Sequence, residues 1–234
     1  MFFLYLFFCF VFPVLWILYM LVSRRDMSRY LPLFLAAAVL SVVSVSVLRA
    51  LTQPFFSEFV IYSGDTGAFL LHSFVQAGLL EEACKAVFFF LVLQRVFFSS
   101  RELYGIAESV AFFSAVLEGA LFASLETLAA LFYFPGAVFS RLFTANLLHI
   151  LALLVSASGV FFGKRFPAGQ ALAVLAAVVL HGGYNLVLAY FAVPGALIYT
   201  LFLLLAVTVL WMKIFGRIYF SARKKMQAPG DAQQ

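Results

Sequence analysis

The sequence predicts an all-α protein, a polytopic membrane bundle of about seven transmembrane helices built as a single domain. Three observations carry this. Hydrophobic residues make up 65% of the chain, charged residues only 11%, and the mean hydropathy is +1.09, whereas soluble domains hold about 45–50% apolar and about 25% charged residues. Seven apolar stretches of about 20–25 residues, each long enough to cross a bilayer, nearly use up the 234 residues. Basic residues alternate between successive connections as they do in membrane proteins.

These features leave no room for a soluble catalytic or nucleotide-binding domain. The net charge of +5 does not imply nucleic acid, because inner loops of membrane proteins are basic in any case. The 31 phenylalanines fit lipid-facing helix surfaces. Cys9 and Cys84 both fall in apolar stretches and give neither a disulfide framework nor a CxxC pair. Residues 2–22 lack a basic leader and a small-residue cleavage site, so they are read as a span and not as a signal peptide.

The elements follow in order. Span 1 covers about Phe2–Val22, with a kink expected at Pro13. Span 2 is about Leu31–Leu48. Arg49–Asp65 is the longest connection, and its apolar piece Phe55–Tyr62 is expected at the interface. Span 3, about Gly67–Phe97, carries Glu81, Glu82 and Lys85. Span 4, about Leu103–Phe134, is long for one crossing and must tilt, bend or extend beyond the bilayer. Span 5 is about Val138–Gly163, span 6 about Gln170–Phe191 and span 7 about Ala196–Ile218. The membrane domain thus covers 1–218, with its chemistry-bearing core at 67–191, and a basic, polar tail at 219–234.

The distribution of Lys and Arg sets the orientation. The first, third and fifth connections and the C-terminal end hold twelve, among them Arg24, Arg25, Arg95, Arg101, Lys164, Arg165 and Arg223. The other side holds two, Arg49 and Arg141. The N-terminus is therefore expected outside and the C-terminus in the cytoplasm.

Against this background Glu81-Glu82-Ala83-Cys84-Lys85 stands out. An ionisable side chain at the centre of a membrane helix costs roughly 2.5–3.5 kcal/mol, and three occur within five residues. Other spans supply partners: Glu126 on span 4, His149 on span 5 and His181 on span 6. At about 1.5 Å per residue these groups fall between the midplane and the outer half of the bilayer. Lys85 is spaced i,i+4 from Glu81 and i,i+3 from Glu82, so it can pair with either. Phe122 shares a helix face with Glu126, and Asn185 stands four residues from His181, where its amide can orient the imidazole. Gly119, Ala120, Ala123, Ser124, Gly182 and Gly183 flank these positions and permit close helix approach.

The chemistry open to such a set is water activation. One carboxylate takes a proton from water while a neighbouring carboxyl, kept neutral by like-charge repulsion, donates one. A histidine stabilises an oxyanion or shuttles a proton. Glu126, His149 and His181 also form the ligand set of some catalytic zinc sites, with another glutamate as base. Glu118 lies deeper on the face of Glu126 and reads as structural or accessory. Glu108 and His72 lie near the membrane ends.

Four of these features in order resemble the PrsW family of intramembrane proteases, whose motifs are EExxK, FxxxE, a histidine and HxxxD or a close variant. The matching residues are Glu81-Glu82-Ala83-Cys84-Lys85, Phe122-Ala123-Ser124-Leu125-Glu126, His149 and His181-Gly182-Gly183-Tyr184-Asn185. Asn185 stands where the family has an acidic residue, and Thr127 where it often has Asn. The related CAAX-protease group is less similar, because it carries EExxxR and FxxxH where this chain has Ala86 and Glu126. The PrsW resemblance implies an endopeptidase of a bacterial cytoplasmic (inner) membrane that cuts membrane-anchored proteins, as in the first, outer-side cleavage of an anti-sigma factor. Glu81, Glu82, Glu126, His149 and His181 would be catalytic, and Lys85, Phe122 and Asn185 supporting. The family is described both as glutamate-dependent and as a possible metallopeptidase, which leaves no cofactor and Zn2+ both open.

Two other functions use the same residues. A non-catalytic scaffold of this fold would keep them as interhelical contacts, like the distantly similar scaffold subunit of gamma-secretase. A proton-coupled transporter would use the carboxylates as a relay, although no inverted repeat is visible.

Overall fold

The computed structural model describes residues 2–54, 66–99, 104–133, 138–162 and 169–190, together with residues 198, 200–206, 208, 209 and 212. The elements are α1 (Phe2–Ser23), α2 (Arg25–Ser28), α3 (Leu31–Thr52), α4 (Thr66–Leu71), a π-helical segment (His72–Leu79), α5 (Leu80–Ser99), α6 (Tyr104–Tyr133), α7 (Val138–Phe162) and α8 (Gly169–Tyr190). Residues 200–206 are helical as well, and no strand occurs among the described residues. The all-helical character is what an apolar solvent demands, because a helix satisfies its backbone groups within one segment.

Four helical stretches are long and apolar enough to cross a membrane: Phe3–Ser23, Leu31–Thr52, Val110–Ala129 and Gly169–Val187. Thr144–Ser158 in α7 is a shorter apolar stretch. The outer surface is what lipid requires. Val39, Val43 and Val47 on α3, Val87 and Leu91 on α5, and Leu172, Leu175 and Val179 on α8 are all large, apolar and exposed. On each helix they recur at three- or four-residue spacing, so each helix turns one stripe outward.

Helix α6 is the central element. Within its apolar stretch 78% of residues are buried, against 17% for that of α1 and 28% for that of α8. Val110, Ala111, Phe113, Ala115, Val116 and Leu117 pack with Phe34 and Ala37 of α3, Phe89 and Val92 of α5, and Ile150, Leu153 and Leu154 of α7. Helix α1 is tied to α6 at two levels. The Trp16 indole donates to the Phe113 carbonyl at 3.4 Å, and the Ser124 hydroxyl lies 2.6 Å from the Cys9 carbonyl. The contact of α6 with α7 is backbone-close. A Cβ on Gly119 would stand 2.8 Å from the carbonyl oxygen of His149 and 2.8 Å from Ile150 Cα, which no side chain permits.

Several expectations are refined. The helix runs through Pro13 from Phe2 to Ser23. The stretch expected as a plain connection at 23–30 contains the short helix α2, whose Met27 is buried in the core. Beside it Arg24 donates two hydrogen bonds to Asp26, and that guanidinium holds the Asp26 carboxyl below its ordinary value. Helix α3 continues one turn past the expected Leu48, to Thr52, and so carries Arg49 on a helix and not on a loop. The third span is not one α-helix: the π-helical segment interrupts it directly before the glutamate pair. Phe55–Tyr62, most of the seventh span and the tail at 219–234 lie outside the described residues.

Candidate functional site

The site begins with the register of α5. Glu81 and Glu82 occupy its first turn, and successive residues of an α-helix point about 100° apart. One carboxylate therefore faces α3 and the other α7 and α8. Glu82 is fully buried, and its Oε1 accepts from the Lys85 ammonium, one turn along the same helix. The same oxygen lies 2.6 Å from His181 Nδ1 on α8. Glu81, 1% exposed, is ion-paired through its Oε1 to Arg49 in the last turn of α3. Its Oε2 lies 3.8 Å from His181 Nε2 and has no hydrogen-bond partner among the described residues, and neither does Glu82 Oε2.

Lys85 is the hub. Its side chain is fully buried, and its Nζ lies 2.8 Å from His149 Nδ1 on α7 and 4.7 Å from the centroid of the Phe122 ring on α6. A cation over an aromatic face is attracted by the ring quadrupole, more strongly when water is excluded. His149 Nε2 lies 2.9 Å from Glu126 Oε2. The two imidazoles meet edge to face, with centroids 5.0 Å apart at 79°. Residues from α3, α5, α6, α7 and α8 thus join in one chain of contacts: Glu126 to His149, to Lys85, to Glu82, to His181, to Glu81, to Arg49.

Donor and acceptor chemistry assigns the protons. An ammonium only donates, so His149 Nδ1 accepts from Lys85, and Nε2 carries the hydrogen that goes to Glu126. A carboxylate oxygen only accepts, so His181 donates to Glu82 Oε1 through Nδ1–H, and in the neutral imidazole Nε2 then carries the lone pair. That lone pair points to the region of Glu81 Oε2. Two polar atoms 3.8 Å apart can both be reached by one oxygen at about 2.8 Å from each. A water bridging the two atoms would be polarised by both.

Glycines make the approach possible. Gly119 lets α6 reach the His149 backbone, and a Cβ on Gly182 would fall 2.4 Å from the Phe74 ring. Gly183, grouped with them on sequence, has nothing within 4 Å of its would-be Cβ and serves no close approach.

The structure also places the remaining sequence candidates. Glu81, Glu82, Lys85, Glu126, His149 and His181 come together, with Phe122 beneath Lys85 and His149. Asn185 does not hydrogen-bond His181. The imidazole turns instead to the glutamate pair, because a carboxylate outcompetes an amide for its N–H. Glu118 is buried outside the chain of contacts and lies 2.9 Å from the Ser41 hydroxyl. The expected metal set also changes. The ligand atoms that lie within 4.8 Å of one another belong to Glu81, His149 and His181, while Glu126 sits on the far nitrogen of His149. This triad fits a cation poorly, because both His149 nitrogens are engaged, by Lys85 and by Glu126, and a metal would have to displace one of them.

Sequence reasoning missed Arg49, which read as the end of a span. Its signal was in the expected topology, where it is one of two basic residues assigned to the side opposite the basic connections. It also missed Ser41 beside Glu118 and the hydroxyl pair of Tyr184 and Thr144. No protein-family model, curated protein or solved structure matches the chain.

Proposed function

We propose that this chain is an intramembrane endopeptidase that hydrolyses membrane-anchored proteins with a water held between Glu81 and His181. One observation carries the reading. Two buried, adjacent carboxylates and two imidazoles meet in an apolar bundle, and the unpartnered Glu81 Oε2 faces the lone pair of His181 Nε2 at 3.8 Å. Lys85 and Arg49 each engage one carboxylate through a single oxygen, Glu82 Oε1 and Glu81 Oε1, which leaves Glu81 Oε2 to the site.

The roles follow from the contacts. Glu82 fixes the tautomer and orientation of His181, as the buried carboxylate of a hydrolytic triad fixes its histidine. Lys85 holds Glu82 and His149 in register. The water proton passes to the Glu81–His181 pair as the water oxygen bonds to the scissile carbonyl carbon. The same proton returns to the amide nitrogen as the C–N bond breaks, which leaves a carboxyl and an amine terminus. His149 presents Glu126, 19% exposed, as the second acid beside the reacting carbonyl. If a zinc ion were bound, it would supply Lewis-acid polarisation.

The membrane arrangement belongs to the same proposal: seven spans, the N-terminus outside, the C-terminus in the cytoplasm, and a bacterial inner membrane. The alternation of basic residues supports it, and reporter fusions at 55–65 and 163–168 should lie on opposite sides. The activity is tested with the purified protein in detergent and single-span membrane proteins as substrates, beside Glu81→Gln and His181→Ala. Loss of cleavage in both supports the reading, and full cleavage in both overturns it.

A further inference from the structure

We infer that Arg49 is a positioning residue of the reaction centre, clamping Glu81 Oε1 so that Oε2 is presented to His181, and that it does so from the open edge of the site. The inference rests on the peptidase reading above and adds a fifth helix, α3, to a site that the sequence motifs place on α5–α8.

The geometry of Glu81 is the argument. Glu82 is fixed by two donors, Lys85 and His181. Glu81 has one hydrogen-bonding partner among the described residues, Arg49, and its other oxygen has none. Its nearest alternative partner, His181 Nε2, lies at 3.8 Å, beyond hydrogen-bond range. A small rotation of the carboxylate would close that gap and remove the space for a water. Arg49 opposes the rotation, because its Nη2 anchors Oε1 on the α3 side through a charge-assisted hydrogen bond. It is carried on a helix, since α3 continues to Thr52, and helices position groups more tightly than loops do.

The exposure of the pair is one-sided. The Arg49 side chain is 37% exposed and Glu81 only 1%. The guanidinium therefore lies between the buried carboxylate and the surroundings, at the end of α3 that precedes the connection at 55–65. Small cations can reach that position from the medium, whereas they cannot reach Lys85, which is fully buried.

The test is chemical rescue. Arg49→Ala and Arg49→Lys are purified in detergent and assayed on a single-span substrate with and without guanidinium ion, beside Glu81→Gln. Far-ultraviolet circular dichroism and gel filtration establish folding. The expected result is a fall in kcat of roughly a hundredfold in Arg49→Ala, with KM little changed, substantial recovery on addition of guanidinium, and an intermediate rate in Arg49→Lys. Recovery must be absent in Glu81→Gln, which lacks the carboxylate to be clamped. Should Arg49→Ala fail to fold, Arg49→Lys carries the test: a wild-type rate there overturns the inference, and a reduced kcat with KM unchanged, in a folded protein, supports it. Cleavage lost in Glu81→Gln but unaltered in Arg49→Ala overturns the role of Arg49 alone, as does a folded, inactive Arg49→Ala that guanidinium does not restore. Unimpaired cleavage in Glu81→Gln removes the peptidase reading and this inference with it.

Discussion

The two glutamates of the pair differ in what their side chains support, and their substitutions should separate stability from activity. Glu82 neutralises a lysine that is 0% exposed. Glu82→Gln leaves that ammonium in an apolar interior without its anion, and removing one partner of a buried ion pair costs about 3–5 kcal/mol. Glu81→Gln leaves Arg49, which is partly exposed and can be hydrated, so its cost should be about 1 kcal/mol or less. Thermal unfolding in detergent should therefore rank Glu82→Gln well below Glu81→Gln, although both lose cleavage. Two glycines, Gly119 on α6 and Gly183 on α8, give a second contrast at this scale. Gly119→Ala forces a Cβ to 2.8 Å from backbone atoms of α7, and overpacking of that kind costs about 1–3 kcal/mol. Gly183→Ala meets nothing within 4 Å and should be neutral or mildly stabilising, because alanine is the better helix former by about 1 kcal/mol.

At the scale of elements, the π-helical segment decides the direction of the glutamates. A π-segment is an α-helix with one extra residue accommodated in a turn, and such segments frequently stand at functional sites. Here it reconciles two contacts with α8: the Phe74 ring lies against Gly182, and Glu82 meets His181. Deleting Val75 would restore α-helical winding and rotate one contact about 100° out of line with the other. The expected outcome is unchanged helical content by circular dichroism, a lower melting temperature and no cleavage. Wild-type cleavage in the deletion variant would show that the segment does not aim the pair. Nothing in His-Ser-Phe-Val-Gln-Ala-Gly-Leu signals the extra residue, because hydrophobic periodicity over eight residues does not separate 3.6 from 4.4 residues per turn. The helices themselves were legible for the opposite reason, since long apolar runs in lipid have helix as their available state. Glu82, Lys85, His149 and His181 were legible because each is ionisable within such a run. Asn185 misled because i,i+4 spacing says that two residues are neighbours and not which partner a side chain prefers. Arg49 was hidden because an arginine at the end of a span can extend to the interface and needs no buried partner.

For the whole molecule, the engagement of both His149 nitrogens bears on the cofactor. A chelator should leave cleavage unchanged, and metal analysis of the purified protein should find less than one equivalent of zinc. Abolition of cleavage by chelator, with restoration by zinc, would mean that Lys85 or Glu126 leaves His149 in the active form. The same network makes the bundle indivisible around α5, because α3, α6, α7 and α8 each contribute a partner to the charges that α5 carries. Its packing centre and its electrostatic centre lie on different helices, α6 and α5, which meet where Lys85 stands over Phe122.

The two ties between α1 and α6 have a bearing on biosynthesis. Trp16 waits for a carbonyl 97 positions later, and the Cys9 carbonyl for a hydroxyl 115 positions later. Helix α1 is made well before α6 and must therefore stay in the bilayer without those two partners until α6 has been synthesised. Its composition suits that wait, since Phe2–Ser23 carries no charged residue and can be inserted before any partner exists, as two-stage assembly of membrane helices requires. The helix that brings the charges, α5, emerges after α3 and before α6, α7 and α8. Its lysine and glutamates first meet one another and Arg49, and only later the histidines that complete the cluster.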